Sequence, residues 1–297
     1  MKIAGHTMGT PEYSLEQAVD LFKEMGLDGI EIIVQDGYKS GFEEEVNENK
    51  VNAIAQKVKK AGMQVSCLTP YYTNVNSLNE KERQKDVGGI EKVIQIAAIC
   101  GAPFIRIYGG KFGEDDIENE IEMEGKFVDS MKALGAVAKK HNVTLVVENH
   151  FHTMTAIASK TVNIVRKISH PNVGILYDQA NLAILRAEDY EVAIPLLAEY
   201  IKYVHVKDMI YKEGNKEFKS DHVSDINEDD RITASRILGE GILPWRKIIK
   251  ALRQINYDGW LSLEYERRWA PYELPDAKIG MRKSFNHLTS IINELKM

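Results

Sequence analysis

The chain has 297 residues, 44% hydrophobic and 28% charged, which suits one large α/β core and excludes a low-complexity or fibrous protein. Its formal charge of −6 argues against nucleic acid or an anionic membrane as partner. Cys67 and Cys100 lack C-x-x-C spacing, the start lacks a long apolar run, and no run reaches the roughly 18 residues of a membrane span, so neither a disulfide framework, a thiolate metal site nor a membrane span is suggested and a cytoplasmic location is expected.

In chain order, short β-type runs alternate with helical patterns. "KIAGH" from Lys2 precedes a helix whose start is signalled by Ser14, with Gln17 three residues on as its capping-box partner. "GIEIIV" from Gly29 is followed by a helix over Glu43–Ala61, and "QVSCL" from Gln64 by one over Glu80–Cys100. "FIRIY" from Phe104 leads to Glu124–His141, and "VTLVVE" from Val143 to Lys160–Ile168. "VGILYD" from Val173 leads to Glu188–Tyr200, and "IKYVHV" from Ile201 to Leu243–Ile255. "WLSLEYE" from Trp260 precedes a last helix beginning near Pro275. Strand followed by helix, eight times over, predicts an α/β (β/α)8 TIM barrel. The rival, an open doubly wound sheet, lacks a G-x-G-x-x-G after its first strand, and "YGGKFG" at Tyr108 has the wrong spacing. No Pro, Ser or Gly tract divides the chain, so residues 1–297 read as a single domain.

One connection is anomalous. The stretch from His205 to Glu264 is about twice as long as those from Glu148 to Asp178 and from Asp178 to His205. The excess lies in Asp208–Gly239 (208–239), polar and charged, after the seventh strand. Long loops on that face of a barrel are functional or solvated, so it reads as a substrate lid or as a mere excursion.

The fifth strand raises the chemical question. "VTLVVENH" is apolar until it ends on Glu148, Asn149 and His150, and burying a carboxylate is costly without a cation or hydrogen bonds. Its neighbours end alike: Asp178 on strand six, His205 on strand seven, Glu264 on strand eight. Each alone reads more simply as a solvated tip or an ion-pair partner. Four on consecutive strands converge on one rim of a closed barrel and can share one ion. Three carboxylates and one imidazole suit a single hard divalent metal ion, Mn²⁺ first, with Mg²⁺, Co²⁺ or Zn²⁺ as alternatives.

With "VVENH", "YDQANL", "HVKD", "LGEGILPW" and "YDGWLSLEYE" in this order, and "GIEI" and "IRIYGG" as weaker supports, the sequence resembles the xylose-isomerase-like barrels. That family includes sugar phosphate isomerases/epimerases, keto-sugar 3-epimerases and inosose-metabolising enzymes. The resemblance implies one divalent metal on Glu148, Asp178, His205 and Glu264, with Glu148 and Glu264 as the catalytic acid–base pair. One departure stands out: the epimerases carry D-x-x-H on strand six, but "DQAN" has Asn181, which hydrogen-bonds without carrying a proton.

Period-two alternation adds candidate substrate-binding residues. His150 follows Glu148, and Lys207 follows His205, with one residue between. Arg106 alternates with Tyr108 on strand four, and an arginine inside a barrel must be paired, with substrate or with a carboxylate. Glu266 and Arg267 extend from Glu264, His6 ends the first strand, and Asn181 follows Asp178. Tyr71, Tyr72 and Trp269 are candidates for an apolar wall beside a sugar ring.

The expected activity is divalent-metal-dependent isomerisation or epimerisation of a ketose, keto-inositol or related keto-sugar, through α-proton abstraction and a metal-stabilised enediolate. A lyase on the same scaffold, dehydrating a keto-polyol or cleaving a keto-glycoside, is the alternative. An endonuclease IV-like nuclease and a non-catalytic sugar- or metal-binding protein rank below these. The partner is a small-molecule sugar or polyol, without a phosphate cradle, and homo-oligomerisation stays open.

Overall fold

Strand and helix alternate through the whole chain in the computed structural model, which describes residues 1–212 and 231–295. The first half contains β1 (Lys2–His6), α1 (Leu15–Met25), β2 (Gly29–Val34), α2 (Glu48–Lys60), β3 (Gln64–Pro70), α3 (Glu80–Cys100), β4 (Phe104–Tyr108) and α4 (Glu120–Lys140). The second continues with β5 (Thr144–Glu148), α5 (Ala158–Ile168), β6 (Val173–Asp178), α6 (Gln179–Ile184), α7 (Tyr190–Leu197) and β7 (Ile201–Val206). After β7 come β8 (Asp208–Tyr211), β9 (Thr233–Arg236), α8 (Trp245–Gln254), β10 (Trp260–Leu263) and α9 (Gly280–Glu294). Eight strands close in the order β1-β10-β7-β6-β5-β4-β3-β2. Each pairing is parallel, which requires a crossover between consecutive strands, and the helices supply it. The chain is a (β/α)8 barrel, as its alternation predicts.

Local signals fix several boundaries. Ser14 and Gln17 form the predicted capping box of α1, and Gly26 ends it in the left-handed region at φ 88°. Two helices start later than their sequence pattern suggests. The chain before α2 is held against the barrel by Phe42, whose N–H donates to the Ile33 carbonyl (2.8 Å) and whose carbonyl accepts from Gln35 (2.8 Å). The helix therefore begins at Glu48, capped by Asn47, and not at Glu43. Before α9, Asp276 accepts from the Tyr13 hydroxyl and the Pro275 carbonyl accepts from Tyr265, so residues 275–279 follow the rim and the helix waits until Gly280. The helix expected over Glu188–Tyr200 is shorter, Tyr190–Leu197, with Asp189 as its cap. No helix among the described residues is long and apolar enough to cross a membrane.

Inside the barrel the side chains form layers. Ala4, Cys67, Val146, Leu176, Tyr203 and Trp260 make an apolar plug, with Phe104 packed against it. Two residues further along the same strands stand His6, Thr69, Arg106, Glu148, Asp178, His205 and Ser262, all buried and all polar. Residues i and i+2 of a strand share a face, so each of these seven strands contributes one side chain to the plug and one to the polar layer above it.

The long connection after β7 opens as an antiparallel ribbon, with Asp208 paired to Arg236 and Tyr211 to Thr233. The lid expected over 208–239 falls in part on residues 213–230, outside the described residues. The ribbon's base is firmly built. The Asp208 carboxylate accepts from the N–H groups of Gly239 (2.9 Å), Gly241 (3.2 Å) and Leu243 (3.1 Å), and the Trp245 indole donates to the Lys207 carbonyl (3.0 Å). A β-carbon on Gly241 would lie 2.1 Å from Asp208 Oδ1, so only glycine fits there. "HVKD" and "LGEGILPW" are thus two halves of one clasp.

Candidate metal centre

Glu148 and Asp178 are the last residues of β5 and β6, His205 is the penultimate residue of β7, and Glu264 follows β10. Register brings their strand ends together: Asp178 pairs with His205, and His205 with Ser262, two residues before Glu264. The Glu264 N–H still donates to the Val206 carbonyl (3.0 Å), which keeps its side chain on the axis. The four predicted ligands converge, with ligand atoms all within 4.8 Å of one another. His205 Nδ1 lies 3.3 Å from Glu264 Oε1, 3.4 Å from Glu148 Oε1 and 4.0 Å from Asp178 Oδ2. All four residues are buried, Glu264 the most exposed at 5%.

So many buried carboxylates perturb one another. Burial raises the Asp178 carboxyl to about 7; Lys207 opposes this, while Glu264 and Glu148 push it further up. Burial also works on Glu264, but His205 and Lys207 outweigh it and hold that carboxyl well below its ordinary range. His205 is driven the other way: Glu264 and Glu31 overcome the burial penalty and raise the imidazole well above its ordinary value. The surrounding carboxylates thus favour the imidazolium form and its extra proton. A cation there would displace it, as metal sites displace protons from their ligands.

The predicted neighbours fall into three groups. Lys207, Arg106, Glu266 and Asn181 touch the ligands or one another. Lys207 Nζ bridges Glu264 Oε2 (2.8 Å), Asp178 Oδ2 (3.0 Å) and Glu266 Oε1 (3.2 Å). Arg106 Nε lies 3.6 Å from Glu148 Oε2, and its guanidinium stacks 3.7 Å from the Tyr108 ring centre and 4.9 Å from that of Tyr71. Asn181 Nδ2 donates to Glu148 Oε1 (3.2 Å) and to the Asn149 carbonyl (3.1 Å), and its N–H donates to Asp178 Oδ1 (3.0 Å). His150 has Nδ1 2.9 Å from the Phe151 carbonyl and its ring edge-on to Tyr108 at 5.0 Å, and it lies near enough to Glu148 to feel that carboxylate's charge. Burial lowers His150 to about 4, so the imidazole is neutral near pH 7. His6 stands beside His205, its ring 5.6 Å away and its Nε2 3.6 Å from Glu31 Oε1. Of the loop residues, Trp269 and Tyr71 pack against Arg268, Arg267 pairs with Glu12, and Tyr72 turns outward to donate to Glu44.

Sequence reasoning passed over Glu31, Thr69, Tyr203 and Asn149. Asn149 Oδ1 accepts from Asp178 N–H (2.9 Å) and its Nδ2 donates back to the Asp178 carbonyl (2.6 Å), locking two ligand-bearing strand ends together. Glu31 is fully buried at the centre of β2 and accepts from His205 Nε2 at 3.1 and 3.2 Å. Its signal was visible as the lone charge in "GIEIIV".

His6, Glu31 and His205 form a second convergent group among the described residues. The hydrogen bonds argue against an ion there. Met8 N–H donates to His6 Nδ1 (3.0 Å), which leaves the imidazole proton on Nε2, the atom facing Glu31. That group is a set of donors around a carboxylate.

The first group has the opposite character. His205 Nδ1 is buried without a hydrogen-bond partner, and three carboxylates surround it. Oxygen donors with one imidazole fit a hard divalent ion.

Comparison with known proteins agrees with the barrel. A family profile described as xylose isomerase-like TIM barrel matches residues 19–291. An inosose dehydratase from Clostridium perfringens is 29% identical over 188 residues, 62% of this chain and 60% of that protein, so the match leaves two fifths of that relative uncovered. A 3-dehydroshikimate dehydratase from Bacillus anthracis is 22% identical over 78% of this chain and 84% of its own. Among solved structures, a 3-keto-D-glucoside 4-epimerase from E. coli superposes with a TM-score of 0.74 at 18% identity, covering 98% of this chain and 99% of that one. This last likeness is one of fold.

Proposed function

The chain belongs to the xylose isomerase-like TIM barrels, and on that premise we propose that it is a divalent-metal-dependent enzyme of keto-sugar chemistry. Its reaction begins by removing the proton α to the carbonyl of a ketose, keto-inositol or related keto-sugar, and as an isomerase or epimerase it returns a proton elsewhere. The observation that carries this reading is how Glu148 and Glu264 divide their oxygens. Each turns Oε1 towards His205 Nδ1, at 3.4 and 3.3 Å, and Oε2 towards a cation, Arg106 Nε at 3.6 Å and Lys207 Nζ at 2.8 Å.

Glu148, Asp178, His205 and Glu264 would hold the ion, and Mn²⁺ suits this donor set, as do Mg²⁺, Co²⁺ and Zn²⁺. When bound, such an ion supplies Lewis-acid polarisation of a carbonyl oxygen. The chain's own groups do the rest. Glu148 and Glu264 come from strands on different sides of the rim, so one takes the α-proton while the other delivers one. Arg106 and Lys207 keep those carboxylates ionised until a proton arrives. Neutral His150 and the Asn181 amide hydrogen-bond substrate hydroxyls at the mouth, and Glu266 holds Lys207 in place.

A second reading is favoured by a specific position. Asn181 stands where a proton-carrying histidine would serve an epimerase, and Lys207 is the only ammonium among the described residues that reaches the ligand carboxylates. Proton removal followed by loss of a hydroxyl that Lys207 protonates would make the protein a keto-polyol dehydratase; two of its relatives are named inosose dehydratase and 3-dehydroshikimate dehydratase. Loss of a glycosidic aglycone by the same elimination would make it a keto-glycoside-cleaving lyase.

One experiment separates these. Ketoses, inososes and keto-glycosides are incubated in D₂O with Mn²⁺-loaded protein and followed by mass spectrometry. Deuterium uptake with unchanged composition marks an isomerase or epimerase; loss of water or of an aglycone marks a lyase. Glu148→Gln is expected to slow exchange by about 10²–10⁴-fold, the usual worth of a positioned acid–base group. Retention of the ion with no exchange into any substrate would overturn the proposal.

A further inference from the structure

We propose that Glu31 is a positioning residue that makes His205 a metal ligand, by fixing which imidazole nitrogen carries the proton and where the ring points. The inference rests on the metal reading above and extends it to a residue on a strand that supplies no ligand.

The geometry is specific. Glu31 lies on β2, separated from β7 in the barrel by β1 and β10, and its side chain reaches His205 across the interior. Every polar group around its carboxylate is a donor. Thr69 Oγ1 donates to Oε1 (2.6 Å), the Tyr203 hydroxyl to Oε2 (3.2 Å), and His205 Nε2 lies 3.1 and 3.2 Å from the two oxygens. His6 Nε2, proton-bearing because its other nitrogen accepts from Met8, lies 3.6 Å from Oε1.

A neutral imidazole has one N–H and one lone pair. With a carboxylate at Nε2, the N–H belongs there, and the lone pair is left on Nδ1, among Glu148, Asp178 and Glu264. A carboxylate behind a ligating imidazole also raises its basicity and holds its plane. Thr69 and Tyr203 in turn pin Glu31, and Tyr203 belongs to the plug beneath, so the ligand's orientation is anchored in the apolar floor.

Glu31→Gln keeps the shape but places an amide NH₂ against donors. Its Mn²⁺ affinity, measured by calorimetric titration of the full-length protein, is expected to fall about 10–100-fold. A purely structural role would not predict the second readout. In Zn²⁺-loaded wild-type protein the His205 Nε2–H proton should resonate far downfield in NMR spectra, because a buried carboxylate accepts it, and in Glu31→Gln it should move upfield. Unchanged Mn²⁺ affinity together with an unmoved imidazole proton in a folded variant would overturn the inference. If Glu31→Gln does not fold, Thr69→Val, which removes one donor from Glu31, serves instead: a smaller affinity loss in the same direction supports the role, and none refutes it. A wild-type chain that binds neither Mn²⁺ nor Zn²⁺ would overturn the metal reading itself, a failure distinct from an affinity that ignores Glu31.

Discussion

The floor and the ceiling of the barrel interior are built from the same strands, two residues apart. Ala4, Cys67, Phe104, Val146, Leu176, Tyr203 and Trp260 close the floor, and His6, Thr69, Arg106, Glu148, Asp178, His205 and Ser262 stand directly above them. The contrast shows how a barrel can bury so many charges. The floor is apolar and its six central side chains are buried, so interactions in the layer above act in a low local dielectric and are strengthened. Low dielectric also makes any unpaired charge costly, and the acids in and beside the ceiling are accordingly matched: Glu148 with Arg106, Glu264 and Asp178 with Lys207, Glu31 with His205. One layer is apolar packing and the other gathers the charged and ligand-type side chains.

Substitutions on either side of that boundary would break or sharpen the contrast. The largest expected effect is in the ceiling. Glu264→Gln should lower kcat/KM by about 10²–10⁴-fold, while the thermal midpoint of the metal-free protein changes little, because Lys207 keeps Asp178 and Glu266 as partners. A large fall in that midpoint would show that the charged layer also holds the barrel together. Next comes the floor. Leu176→Ala, two residues below Asp178, should cost about 2–5 kcal/mol in denaturant unfolding, with Mn²⁺ affinity close to that of wild type. Loss of the ion in this variant would mean that the two layers are one unit. The smallest effect is one of pH. Burial lowers the folded-state value of His150 from 6.5 to about 4, so its neutral form is favoured by folding. The stability this contributes is fully present above pH 6.5 and is lost as pH falls towards 4, on the order of 1–3 kcal/mol. Thermal melts of metal-free protein across that interval should show the loss in wild type and a shallower one in His150→Gln.

Much of this architecture was legible before any coordinates. Strand–helix alternation predicted the barrel, and acidic or imidazole residues at consecutive strand ends predicted four side chains that do converge. Both are local properties, since a period of two fixes which residues share a face. The first turns of α2 and α9 were misplaced because Phe42, Asp276 and Pro275 hold the preceding chain by contacts with distant strands and loops, which helical periodicity does not register. The direction of His6 and the neighbours of Lys207 were likewise hidden.

By itself, then, the sequence determined the alternation of elements, the parallel closed sheet and the candidate ligands, because hydrophobic period and turn chemistry are written within a few residues of each site. Tertiary structure alone decided that Glu31 stands behind His205, that Lys207 lies among three carboxylates and that Arg106 faces Glu148. Those meetings depend on closure and register of the barrel, which bring together strands far apart in the chain, and no local pattern encodes which side chains then share a few ångströms of dry space.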